Sequence, residues 1–454
     1  MGTATRWSGR ASSLALGGLL LLSAASAAAH GRPPVLGSLH AAPGDPSRLV
    51  ARATWGLAIS DDGGDGWRWL CSAVMGVDAR NEDPALAVME GGVLLAGTFE
   101  GLRRSTDGGC TWTRPSGALA DVYVLDLWRV DARVALAVAA GPEGEDRLYR
   151  TEDAGRSWRP TAGRFGEVLV ARVRTAPSDP SRVYASGAVP AVAGGERRAF
   201  VLRSDDGGAS FEPFELPLRD GERQLQIWAV DPRDPDVLYG QVLHFDGEEA
   251  PERVVRSEDG GRGFETVLEI PWVGGLMVEP SGAVLAGSRR GGLWRAPDGR
   301  AFEPLDPELP VTCLARIGET RWACVDEARA GFALARADDG RRFEPAAGLR
   351  AMDTMVRCPR CSPAGIQCPA WAPDIAYDLG LDASLPAGFD PDGGTGAPRD
   401  AGLPVECGGE PPPEEGCRAA PGGTDGGLLW AVALALIGVH RVRRRRAREP
   451  AKPG

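Results

Sequence analysis

Short apolar runs of four to eight residues alternate with polar turns along most of this chain. "RLVARAT" (48–54), "GVLLAGTF" (92–99), "RVYASGAV" (182–189), "VLYGQVLH" (237–244) and "AVLAGSRR" (283–290) are rich in Val, Leu, Tyr and small residues. Runs of this length, bounded by Gly, Pro and Asp, predict β-strands rather than helices. Each is preceded by another apolar run, often closing on Asp-Pro or a similar turn, as in "ARVRTAP", "QIWAVDP" and "LMVEP". Each is followed by a run ending on a basic residue and a small one, as in "GLRRS", "RLYRT", "FVLRS", "RVVRS" and "GLWRA". A polar turn then leads to an aromatic that opens a last short strand, as in "WTRP" or "FEPF". The unit is four antiparallel strands.

The polar turn recurs. It reads "SDDGGDGW" (60–67), "STDGGCTW" (105–112), "TEDAGRSW" (151–158), "SDDGGASF" (204–211) and "SEDGGRGF" (257–264). Two shorter copies follow, "APDGRAF" (296–302) and "ADDGRRF" (337–343). Their aspartates are Asp62, Asp107, Asp153, Asp206, Asp259, Asp298 and Asp339, spaced by 45, 46, 53, 53, 39 and 41 residues. Their aromatics are Trp67, Trp112, Trp158, Phe211, Phe264, Phe302 and Phe343. A carboxylate and a hydroxyl can satisfy backbone N–H groups inside a tight loop, and Gly supplies positive φ. The aromatic is then expected to fold back and pin the turn to its blade. Four-stranded units repeating every 40 to 50 residues predict an all-β chain forming a single β-propeller, with seven blades over residues 30–356. Residues 34–72 already hold four strands, so the ring is expected to close end to end. The other expectation is that "LRAMDTMV" (349–356) returns beside the N-terminal strand.

These octapeptides resemble the Asp-box, or BNR repeat, of sialidases, sortilin-type receptors, xyloglucanase-type hydrolases and photosystem assembly-factor-like propellers. The resemblance implies a structural turn on the rim, away from any central site. A fold shared by so many activities does not select one of them.

The ends of the chain change the picture. Arg6 and Arg10, the apolar stretch 14–22 and "AAA" at 27–29 form the pattern of a signal peptide over 1–29, which predicts export. Nine cysteines in an exported chain are expected to form disulfides. Cys313 and Cys324 are placed to bridge neighbouring strands. "CPRC" (358–361) lacks a second pair to complete a zinc site, so no metal or other cofactor is expected. Residues 357–371 read as a Cys-rich connector and 372–416 as a disordered acidic stalk rich in Pro and Gly. From 417 to 454 come Cys417, a Gly-rich spacer, an apolar run from Leu428 to Val439 and "RVRRRR". This order resembles a myxosortase-type sorting tail, which implies processing or lipidation at Cys417 and display at the cell envelope. The alternative is a plain C-terminal membrane anchor.

A formal net charge of −11 argues against nucleic acid as a partner. Candidate ligand-facing residues lie on the expected first strands, which converge on the central channel: Asp126, Trp128, Arg172, Arg174, Trp228 and Glu279. Two carboxylates at a channel mouth could serve as acid and base on a glycosidic bond. The same charged residues could instead be salt-bridged, and the tryptophans could be packing between blades. No Arg-Ile-Pro motif of the sialidase type, HExxH or GxSxG is present. The expected function is a surface-held module that binds a protein or glycan, with a xyloglucanase-like or sialidase-like hydrolase as the alternative.

Overall fold

The computed structural model describes residues 32–381, except 79–80, 142–144, 192–194, 246–249 and 339–341. The expected signal peptide, most of the stalk, Cys417 and the C-terminal tail lie outside these residues. Within them, strands form seven sheets around a central axis, one per expected unit. Blade 1 comprises Leu36–Ala42, Asp45–Ala53, Gly56–Ser60 and Arg68–Cys71. Blade 2 has three strands, Ala85–Val88, Leu94–Thr98 and Gly101–Ser105. Its outer edge is reduced to bridges from Gly101 to Ala120 and from Arg104 to Thr113, because Pro115 lacks an N–H and Gly117 takes a φ of 110°. Blades 3 to 7 have four strands each. Their inner strands are Val124–Arg129, Leu169–Ala176, Glu222–Val230, Val273–Val278 and Val311–Ile317.

The second strands are largely apolar in their central residues because neighbouring blades cover both of their faces. Leu94–Thr98 and Val284–Ser288 are buried at every residue. Blades also converge on the axis, which demands small residues there. A Cβ at Gly97 would lie 2.6 Å from Val124 of blade 3, and one at Gly287 would lie 2.4 Å from Val311 of blade 7.

The Asp turns are built alike. In blade 1, Ser60 Oγ donates to Asp62 Oδ1 (2.7 Å), Gly64 N donates to Ser60 Oγ (2.9 Å) and Gly66 N to Asp62 Oδ1 (2.8 Å). Ser105 and Asp107, Thr151 and Asp153, Ser204 and Asp206, and Ser257 and Asp259 repeat the pattern. Bonds from Ser210, Ser204 and the backbone hold the Asp206 carboxyl down to about 2. In the shortened sixth copy, Asp298 accepts from the N–H groups of Arg300 and Ala301 without a hydroxyl partner. Asp339, in the seventh, lies outside the described residues.

The aromatics do more than pin each turn to its own blade. Phe211 packs with the cluster between blades 3 and 4, Phe264 with that between blades 4 and 5, and Phe343 with that between blades 6 and 7. Trp112 packs against the cluster that includes blade 1, Trp158 against blade 2 residues, and Phe302 against the cluster of blades 5 and 6. Trp67 is buried in the cluster joining blades 7 and 1. Each aromatic therefore wedges into the seam with the preceding blade.

The ring closes end to end. Blade 7 comes wholly from Val311–Ala347, and Thr312 Oγ1 donates to Leu36 O of blade 1 (2.8 Å). Residues 349–356 do return to blade 1, but not beside the N-terminal strand. Thr354–Met355 pairs in parallel with Arg68–Cys71, the outer strand, whose edge is free, whereas the inner edge of Leu36–Ala42 borders the channel. The chain then forms a helix, Pro363–Asp378, capped by Ser362 Oγ and packed on blade 1 through Ala364, Cys368, Ile375 and Leu379. The expected connector and the first residues of the expected stalk are thus part of the folded body. Cys71–Cys368 and Cys110–Cys358 fasten this segment to blades 1 and 2, and Cys313–Cys324 joins adjacent strands of blade 7. Cys361 is disulfide-bonded as well. Among the described residues no helix is long and apolar enough to cross a membrane.

Candidate functional site

The seven inner strands line one central channel with a cavity of about 620 Å³. That volume lies in the range of small-molecule sites. Five of the six residues singled out from the sequence meet there: Asp126 and Trp128 of blade 3, Arg172 and Arg174 of blade 4, and Trp228 of blade 5. Their strands converge because each blade presents its first strand to the axis. Glu279 does not join them. It follows the inner strand of blade 6, is 3% exposed, and is ion-paired with Arg321 and, at 4.0 Å, with Arg295.

The five residues form one connected set across three blades. Arg174 NH1 donates to Asp126 Oδ2 (2.8 Å), and its Nε donates to Trp228 O (3.0 Å). Asp126 Oδ2 also accepts from Val173 N (2.9 Å). The Arg174 guanidinium lies 4.4 Å over the Trp128 ring, and Arg172 lies 4.2 Å over Trp228. Arg172 Nε donates to Gln226 Oε1 (2.8 Å). The indole N–H groups are occupied too, Trp128 with Thr175 Oγ1 (3.0 Å) and Trp228 with Gln241 Oε1 (2.9 Å). Both tryptophans also pack against interblade clusters. The rings that pack between blades thus also line the channel.

Sequence reasoning missed four participants. Arg52 comes from the second strand of blade 1, yet lines the channel. It reaches past the inner strand because residue 37 is Gly, where a Cβ would lie 2.3 Å from Arg52 NH2. Asp83 meets it at 2.5 Å and also pairs with Arg32. Arg129 donates to the carbonyls of Ala41 (2.9 Å) and Val88 (3.0 Å). His40 completes the group, 3.1 Å from Ser38 Oγ. Burial, then the nearby Arg129, Arg52 and Arg174, push its imidazole down to about 4, so it is neutral at pH 7. Burial and the neighbouring Arg174 lower Arg172 to about 10, against the opposing pull of Asp126. A charged residue inside an apolar strand, such as the arginine of "RLVARAT", was the available signal.

The two carboxylates of the channel are held by arginines, Asp126 by Arg174 and Asp83 by Arg52 and Arg32. No cluster of His, Cys, Asp and Glu suited to a metal occurs among the described residues.

No family model matches the chain, and no curated protein matches it in sequence. Solved structures do resemble it. An ancestral GH74 enzyme has a TM-score of 0.51 at 14% identity, covering 69% of this chain and 46% of that one. The extracellular domain of a one-component system from B. thetaiotaomicron has a TM-score of 0.46 at 11% identity, covering 67% and 38%. YCF48 bound to D1 peptide has a TM-score of 0.43 at 14% identity, covering 64% and 88%. The chain spans less than half the length of the first two. At 14% identity the likeness to the GH74 enzyme shows the propeller fold and no activity.

Proposed function

We propose that this is an exported, envelope-held propeller that binds a protein or glycan at its central channel and carries out no chemistry on it. One observation carries the reading: the carboxylates lining the channel are consumed in ion pairs with arginine. A glycosidase needs one carboxyl able to donate a proton and a second free to act as nucleophile or base. A carboxylate whose oxygens are occupied by guanidinium and backbone N–H groups is not presented to a glycosidic oxygen. The hydrolase reading lacks its acid here. The paired cysteines fit export into an oxidising compartment. The Asp turns act, on this reading, as rim staples of the Asp-box kind. Residues 417–454 hold the propeller to the envelope, through processing at Cys417 or by direct insertion.

Retention of the full chain on immobilised polysaccharides and peptides tests the binding reading. At least one member of the panel is expected to retain the wild type, and Arg172→Glu is expected to abolish that retention. Retention unchanged by Arg172→Glu, or by no member at all, contradicts it.

A further inference from the structure

Resting on the channel as the binding site, we infer that the ligand is anchored by a carboxylate, carried on a small acid or on a chain end narrow enough to enter the channel. Charge matching comes first. Four arginines line the cavity: Arg52, Arg172, Arg174 and Arg316. Arg52 is paired with Asp83, which it shares with Arg32, Arg174 with Asp126 and Arg316 with Glu319 (2.7 Å). Arg172 has no carboxylate partner among the described residues. Arg129 beside the cavity is bound only to carbonyl oxygens, so the site carries excess positive charge, which calls for an oxyanion.

Geometry agrees. Arg172 is fixed at its Nε by Gln226 and on one face by Trp228. Its two terminal nitrogens donate to no protein acceptor among the described residues. They form the planar fork that takes both oxygens of a carboxylate, and the fork is preorganised because its stem is already held. The tryptophan faces argue against a neutral sugar as the anchoring group. Trp228 and Trp128 each present a face to a guanidinium, so charge stands where a stacking platform would be. His40 adds a hydrogen-bonding nitrogen without adding charge, in the field of Arg129, Arg52 and Arg174. Placing an anion beside these groups makes protonation of the imidazole easier.

Isothermal titration of the full chain tests this with defined probes: galacturonate and N-acetylglycine, their neutral counterparts galactose and N-acetylglycinamide, and inorganic phosphate. At least one carboxylate is expected to bind, with its neutral counterpart weaker by about tenfold or more. Raising the salt concentration weakens that binding in the wild type, and Arg172→Gln loses it by a similar factor. Binding also raises the titration midpoint of the His40 imidazole, read by NMR in the unmutated chain. Binding of galacturonate alone assigns the carboxylate to an acidic sugar, and binding of N-acetylglycine alone assigns it to a peptide end. Equal binding of the neutral counterparts, tighter binding of phosphate, or no binding of either carboxylate overturns the inference. If polysaccharides or peptides still retain the wild type in that last case, the binding reading stands without the carboxylate. If nothing is retained either, both fall.

Discussion

Gly207 and Gly208 sit side by side in the turn of blade 4, with φ of 71° and 94°. A Cβ on Gly207 would meet nothing within 4 Å, whereas one on Gly208 would lie 2.6 Å from Leu148 of blade 3. The same contact with the preceding blade recurs at Gly64 with Trp322, Gly109 with Leu70, Gly155 with Leu95 and Gly261 with Val201. The first glycine serves only the backbone, while the second also lets the blades meet. Gly207→Ala should therefore cost about 1 kcal/mol, the strain of a left-handed alanine. Gly208→Ala should cost about 2–4 kcal/mol, because overpacking adds to that strain. Denaturant titration of the two variants checks this, and equal losses would contradict it. The sequence showed that these turns need Ser, Asp and Gly, since that chemistry is local. It did not show which way the aromatic folds, because the preceding blade lies some 45 residues away in the chain and leaves no local mark. Arg52 escaped notice for the same reason: what admits it to the channel is the missing side chain at Gly37.

Strands were legible wherever burial on both faces demanded unbroken apolar runs, as in Leu94–Thr98. The outer strand of blade 2 was not, because "WTRP" imitates its counterparts until Pro115 and Gly117 interrupt it. The C-terminal helix was misread as connector and stalk. Its Pro369, Pro373 and scattered apolar residues give a weak helical pattern, and blade 1 supplies the packing that its own sequence lacks. Cystine pairing across separations of 297 and 248 residues could not be read from spacing. These two bonds clasp the returning segment over the seam of blades 1 and 2. Replacing Cys71 and Cys368 together by Ser should cost about 2–5 kcal/mol. The helix should then become cleavable by protease before the ring unfolds. Limited proteolysis read by mass spectrometry, beside denaturant titration, checks both parts. An unchanged midpoint with a protected helix would contradict the clasp.

A chain of net charge −11 encloses a channel with four arginines and two aspartates. The channel lining thus carries charge of the opposite sign to that of the chain as a whole. The repeat made the ring legible from sequence, and the convergence of first strands brings five of the six candidate residues to the channel. Glu279 lies apart because its position at the end of an inner strand turns it toward Arg321 rather than the axis. What the sequence could not supply was the pairing of charges, on which the choice between binding and hydrolysis turns. The most direct test is to incubate the purified full chain with a panel of polysaccharides and follow new reducing ends over time. With Asp126 and Asp83 held by arginine, no sustained release is expected from any substrate. Sustained release that disappears in Asp126→Asn would contradict the account and make this propeller a hydrolase.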